Sequence, residues 1–180
     1  MKPFLLEGAS AFSPFRVESL THALAARLPS LANATIQATF VYLLDLARPL
    51  DDEPERRTRA LLNAGTATIR AGGFFVTPRK GTISPWSSKA TDIFHNCGLN
   101  DVIRVERGIH VHLLDANGAE VALASLGGAG EALHDRMTEG LYEDCPTSSP
   151  TARRRRGACS TSPPGGWTPS GKRTARWAWP

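Results

Sequence analysis

The chain is poor in cysteine, methionine and tyrosine, and it has no long apolar run. Its 180 residues include 3 Cys, 2 Met and 2 Tyr. The cysteines, Cys97, Cys145 and Cys159, are odd in number and form no Cys-x-x-Cys pair. That excludes a simple paired-disulfide framework and suits a reducing compartment. No stretch reaches the ~20 apolar residues needed to cross a bilayer. The first 30 residues lack a basic start followed by an apolar core and a small-residue cleavage site, so no secretory signal is read there. The expectation is a cytoplasmic protein.

Acidic residues are missing from one region only. From Cys145 to Pro180 there are 7 Lys/Arg and no Asp or Glu. Of 21 basic residues in the chain, 21 less 7 leaves 14 in residues 1–144, against 17 acidic ones, a net of −3. The body is mildly acidic and the tail strongly basic, so a high overall pI is no argument that the body binds nucleic acid. The tail also holds 6 of the 13 prolines and 3 of the 4 tryptophans, and no Leu, Ile, Val, Phe or Met. Such a segment cannot build a core. Residues 145–180 are therefore expected to be disordered, with a domain boundary at 144. One reading of the tail is a basic arm for nucleic acid or acidic surfaces. The preferred one is GC-rich DNA translated out of frame, which yields this mix of Arg, Pro, Gly, Ser, Thr and Trp.

Periodicity organises the body. Phe4–Glu7 reads as a strand. Ser13-Pro14 starts a helix, Leu20, Ala23, Leu24 and Leu28 give it an apolar face, and Pro29 ends it. Thr35–Leu46 is rich in β-branched and aromatic residues, and its apolar run Phe40–Leu44 reads as a central strand. Asp51–Asn63 is a helix with acidic residues in its first turn, ended near Gly65. Gly73–Thr77 is a strand. Ser87 or Ser88 is expected to cap a third helix that runs to about Cys97 and stops at Gly98. Val102–Leu114 is a long, bent or interrupted strand. Asn117-Gly118 signals a tight turn into a strand over Glu120–Leu126. Gly127–Gly130 reads as a flexible joint and Ala132–Tyr142 as a last helix. The order suits an α+β fold, a ferredoxin-like sandwich of a mostly antiparallel sheet with helices on one face.

The densest chemistry lies in Thr77–Leu99, TPRKGTISPWSSKATDIFHNCGL. A strand end, a Pro-Arg-Lys-Gly turn, a Ser-Pro-Trp corner and a helix start gather donors, and free N–H groups at a helix N-terminus favour anions. The segment is no Walker A loop, because Arg79-Lys80-Gly81-Thr82 lacks the preceding glycine spacing. His95 and Cys97, two apart on a helix, point about 200° away from each other, which rules out a direct Cys-His pair. His110 and His112 share one face of a strand without an evident third metal ligand, so that face is expected to meet solvent. No catalytic residue and no metal site is assigned.

The same segment resembles a known family. GTISPWSSKATDI and HNCGL, with GASAFSPFR, VERG (Val105–Gly108) and LHDRMTE (Leu133–Glu139) in the same order, resemble the N-terminal domain of phosphoribosylformylglycinamidine synthase, the large glutamine-dependent amidotransferase of purine biosynthesis. The resemblance spans residues 1–144. It implies a domain built like a fused pair of the small separate subunit that some bacterial versions use. It implies partners in the synthetase and glutaminase domains, between which this domain would pack, and no membrane. ATP, Mg²⁺ and glutamine serve the full-length carbon–nitrogen ligase, which converts formylglycinamide ribonucleotide to the amidine. No cofactor is implied for this chain, whose activity alone is expected to be nil. Arg79, Lys80, Thr82, Ser84, Trp86, Ser87, Ser88 and Lys89 are the substrate or interface candidates. The rival readings are a stand-alone interaction subunit that assembles with a separate synthase, and a basic-tailed nucleic-acid binder.

Overall fold

Strand-forming residues dominate two long runs, and these pair along nearly their whole length at the centre of the molecule. In the computed structural model, which describes residues 4–65 and 69–145, β2 (Thr35–Leu46) lies antiparallel to β4 (Val102–Leu114) from Thr35↔Leu114 to Leu46↔Val102. β1 (Phe4–Ser10) flanks β2, β3 (Phe74–Pro78) flanks β4, and β5 (Glu139–Tyr142) flanks β3. The sheet has five strands in the order β1-β2-β4-β3-β5, all antiparallel. Four helices complete the α+β fold: α1 (Pro14–Arg27), α2 (Asp52–Leu62), α3 (Pro85–Asn96) and the single turn α4 (Leu123–Leu126).

Side chains alternate across a strand, so parity assigns the faces. Ile36, Ala38, Phe40, Tyr42 and Leu44 share one face with Leu113, Val111, Ile109, Arg107 and Val105. The helices pack on this face alone, over two apolar clusters. α1 and residues 126–133 cover the cluster around Ile36, Ala38, Phe74, Val76, Val111 and Leu113. α2 and α3 cover the cluster around Leu6, Tyr42, Leu44, Val102 and Val105. The two clusters meet near Phe40, Trp86 and Ile109, the region of the candidate site.

The order β1-β2-β4-β3 is a palindrome about the β2/β4 pair. β1-α1-β2 and β3-α3-β4 are thus the same unit twice, related by a pseudo-twofold through the central ladder. The helix starts repeat too. Ser13 and Ser84 are the N-caps, each accepting a backbone N–H three residues on, and Pro14-Phe15 answers Pro85-Trp86.

Several boundaries differ from the sequence expectation. Ser84, and neither Ser87 nor Ser88, caps α3, because Pro85 occupies the first helical position. Asn63 ends α2 in the left-handed region at φ +49°, two residues before the expected glycine. The Asn117-Gly118 turn forms, with Gly118 at φ +79°, but only the bridge Leu114↔Glu120 follows it before α4. Gly127–Leu133 is a 3₁₀ helix with Ala129 and Gly130 buried, so it is packed structure and no loose joint. The expected last helix is a turn followed by β5. Asp135 accepts the N–H of Met137 and the hydroxyl of Thr138, which stabilises a turn in place of a helix. The tail reading falls, beyond Cys145, outside the described residues.

Candidate functional site

β3 pairs with β4 only through Phe74↔Val111, Phe75↔His110 and Val76↔Ile109. Beyond Val76 the two strands part. That leaves the edge of β4 over residues 102–107 to be covered by α3 and the loop before it. Three side chains at i, i+4 and i+8 on α3 do this. Ser87 Oγ donates to the carbonyl of Val105 (2.6 Å), Thr91 Oγ1 accepts the N–H of Val105 (3.2 Å), and the His95 ring meets the carbonyl of Val102 (2.9 Å). One polar stripe of a helix replaces a neighbouring strand and satisfies the ladder groups left open.

A buried ion pair fastens the loop to this edge. Arg104 and Glu106 pair at 2.7 Å with side chains 7% and 10% exposed. The Arg104 guanidinium also donates to Ser87 Oγ (3.1 Å) and to the carbonyl of Thr82 (3.2 Å). Glu106 accepts the Ser84 hydroxyl (2.6 Å) and the N–H of Arg107 (3.1 Å). Both charges are thus paired and hydrogen-bonded, the condition under which burial of charge is tolerated. Thr82 closes the turn below by donating to the carbonyl of Arg79 (2.7 Å), with Gly81 at φ +94°. The clasp fixes Ser84 and Pro85 and so aims Trp86.

Trp86 stacks with Tyr42, ring centroids 6.0 Å apart, and lies beneath the Arg107 guanidinium, whose carbon is 4.9 Å from the Trp86 ring and 4.8 Å from that of Phe40. Burial pushes the Tyr42 hydroxyl up from its ordinary pKa, and the Arg107 charge works against that rise. Phe40, Trp86 and Arg107 line a cleft of about 150 Å³ where β3 and β4 part, with Val76, Pro78, Ser84, Glu106, Gly108, Ile109 and Glu139 completing its walls. Gly108 has to be glycine. A Cβ there would lie 2.7 Å from Thr77 Cγ2 and 3.0 Å from the carbonyl oxygen of Val76.

The eight residues singled out by sequence divide into two groups. Thr82, Ser84 and Ser87 turn their hydroxyls inward to the loop and the clasp, and Trp86 is half-buried over Arg107. Arg79, Lys80, Ser88 and Lys89 are exposed, and the Lys80 ammonium sits 4.9 Å from the Tyr142 ring centroid. Sequence reasoning missed Arg104, Glu106, Arg107 and Phe40. The signal for three of them was available, since Arg104, Glu106 and Arg107 are charges inside an otherwise apolar strand. His110 and His112 do share a face, but it is not solvated: they are 2% and 8% exposed. The segment 69–73 covers them, through the carbonyl of Gly72 on His110 (2.8 Å), and Glu120 pairs with His112 (2.6 Å).

A family model described as Formylglycinamide ribonucleotide amidotransferase N-terminal matches residues 39–150. The match covers more than half of the chain and takes in the clasp, the cleft and every residue of the Thr77–Leu99 segment. The chain belongs to this family. The match begins inside β2, and β1 and α1 lie before it. Among the described residues no group of three His, Cys, Asp or Glu side chains is placed to hold a metal ion. No described helix is long and apolar enough to cross a membrane.

Proposed function

We propose that this chain is the N-terminal part of a phosphoribosylformylglycinamidine synthase and serves as a non-catalytic packing module in the cytoplasm. Its role is to present one surface, the loop 79–89 and the adjoining cleft, to the synthetase and glutaminase domains of that enzyme. ATP, Mg²⁺ and glutamine would act in those domains, and this chain would shape the substrate site from outside it. The carrying observation is the division of labour in the family segment. The hydroxyls of Thr82, Ser84 and Ser87 are engaged in holding the loop, while Arg79, Lys80 and Lys89 stand exposed and Arg107 is presented in the cleft.

The test is complementation. The purified 180-residue chain is assayed for ATP- and glutamine-dependent amidine formation alone, and then with a family synthase lacking its N-terminal domain. No turnover alone and restored turnover in the mixture are expected. Turnover by the chain alone, or a mixture no better than the truncated synthase, overturns the reading.

A further inference from the structure

We propose that the cleft between β3 and β4 receives a carboxylate side chain, aspartate or glutamate, from an extended acidic segment of the polypeptide docked on this face, with Arg107 as its receptor. The inference rests on the docking role proposed above and adds the chemistry of the contact.

Arg107 is held without being neutralised. Its guanidinium carbon lies over the Phe40 and Trp86 rings, 4.8 and 4.9 Å from their centroids, and its N–H groups meet no acceptor among the described residues. The carboxylate next to it in sequence, Glu106, is committed to Arg104 and Ser84. Glu139, on the opposite wall, accepts the N–H of Asp135 (2.9 Å). A guanidinium held over two rings and with its N–H donors unpaired is matched by a planar carboxylate, which can accept two parallel N–H bonds.

Size and charge select the carboxylate over larger anions. A cleft of about 150 Å³ admits one acidic side chain, whereas sites for drug-sized ligands run to roughly 300–1,000 Å³. Glu106 and Glu139 on its walls oppose a doubly charged phosphate more than a singly charged carboxylate. Residues next in sequence to the cleft suit a polypeptide partner. Ile83, beside Ser84, and Met137, two residues from Glu139, are 57% and 81% exposed. Arg79, Lys80 and Lys89 are exposed on the adjoining loop and helix. Arg107 is itself exposed against two half-buried rings, and exposed apolar and basic side chains on the flanking segments suit an acidic segment with apolar neighbours.

The test uses the full chain, ¹⁵N-labelled, titrated with N-acetylglutamate N-methylamide, with its glutamine counterpart and with ribose 5-phosphate. The Arg107 Nε–H and Trp86 indole N–H resonances should shift saturably with the glutamate probe alone. Equal shifts with the glutamine probe, saturation by ribose 5-phosphate alone, or no saturable shift each overturn the proposal. A second arm measures binding of the chain to the family synthase lacking its N-terminal domain. Arg107→Gln should weaken binding about tenfold or more, and Arg107→Lys, which keeps the charge and loses the fork, should fall between. Wild-type binding that Arg107→Gln leaves unchanged overturns the carboxylate contact and spares the docking role. Absence of wild-type binding overturns both.

Discussion

Ser87 shows how a residue that reads as a ligand-binding hydroxyl becomes part of the scaffold. It is fully buried and serves three groups at once, the Val105 carbonyl, Arg104 and the N-terminal turn of α3. Ser87→Ala leaves two buried polar groups short of a partner, at about 1–3 kcal/mol each, and should lower the urea midpoint without changing the slope of the transition. The Arg104–Glu106 pair behaves differently. Glu106→Leu or Arg104→Met alone strands a buried charge and should cost about 3–5 kcal/mol. The double variant Arg104→Met/Glu106→Leu removes both charges, and its loss in urea denaturation should be well below the sum of the singles. An additive result means that the two side chains act independently and that no clasp exists. Cys145 gives a chemical prediction. Burial pushes its thiol up to about 11, so at pH 8 only about 0.1% is thiolate. Its alkylation by iodoacetamide should rise roughly tenfold per pH unit up to about pH 10, which peptide mass spectrometry can follow.

At the scale of elements, the sequence displayed what periodicity and caps control and hid what contacts between elements control. β2, β4 and α1 were legible because apolar alternation and a Ser-Pro start are local signals. The last strand was not. Leu133–Tyr142 carries apolar residues at helical spacing, yet Asp135 diverts the chain into a turn and Leu141 finds Val76 across the sheet. The polar stripe of α3 was visible as a list of residues. Its purpose was not, because nothing local says that β3 leaves β4 after Val76. The histidine face was misjudged for the same reason. Its cover is the segment 69–73, distant in sequence from β4. There His110 stacks on Phe75 (4.3 Å, 6°), and burial lowers its pKa below the ordinary value, opposed by its bond to Gly72 and by the charges of Glu7 and Glu120, and reinforced by His112. The unfolded chain therefore binds the proton more readily. The His110 contribution to stability is full above about pH 6.5 and is lost as pH falls below that value. The urea midpoint should fall between pH 7 and 5, and His110→Phe, which keeps the ring on Phe75, should flatten that fall. A variant with an unaltered pH profile shows that other groups carry the dependence.

The molecule as a whole is a pseudo-symmetric sheet whose two halves have diverged in what they expose. In the first half Phe15, at the position of Trp86, is 80% exposed. In the second, Trp86 roofs a cleft with a cation in it. The axis runs through the β2–β4 ladder, where pairing is longest and Leu44, Val105, Val111 and Leu113 are fully buried. The cleft lies off the axis, where β3 leaves β4 and only the half-buried, four-residue β5 supports it from outside. The longest pairing and the proposed docking cleft are therefore separated along the sheet. Amides of β2 and β4 should exchange with deuterium only through global unfolding, whereas those of β5 should exchange by local opening at lower free energy. Docking of an acidic segment ties β5 and the loop to a partner and leaves the axis unchanged. Protection should then rise in peptides spanning 79–88 and 135–142 and stay constant in 36–44 and 105–113. A rise confined to the central strands would mean that the partner seats on the histidine face and that the cleft with Arg107 is not the contact.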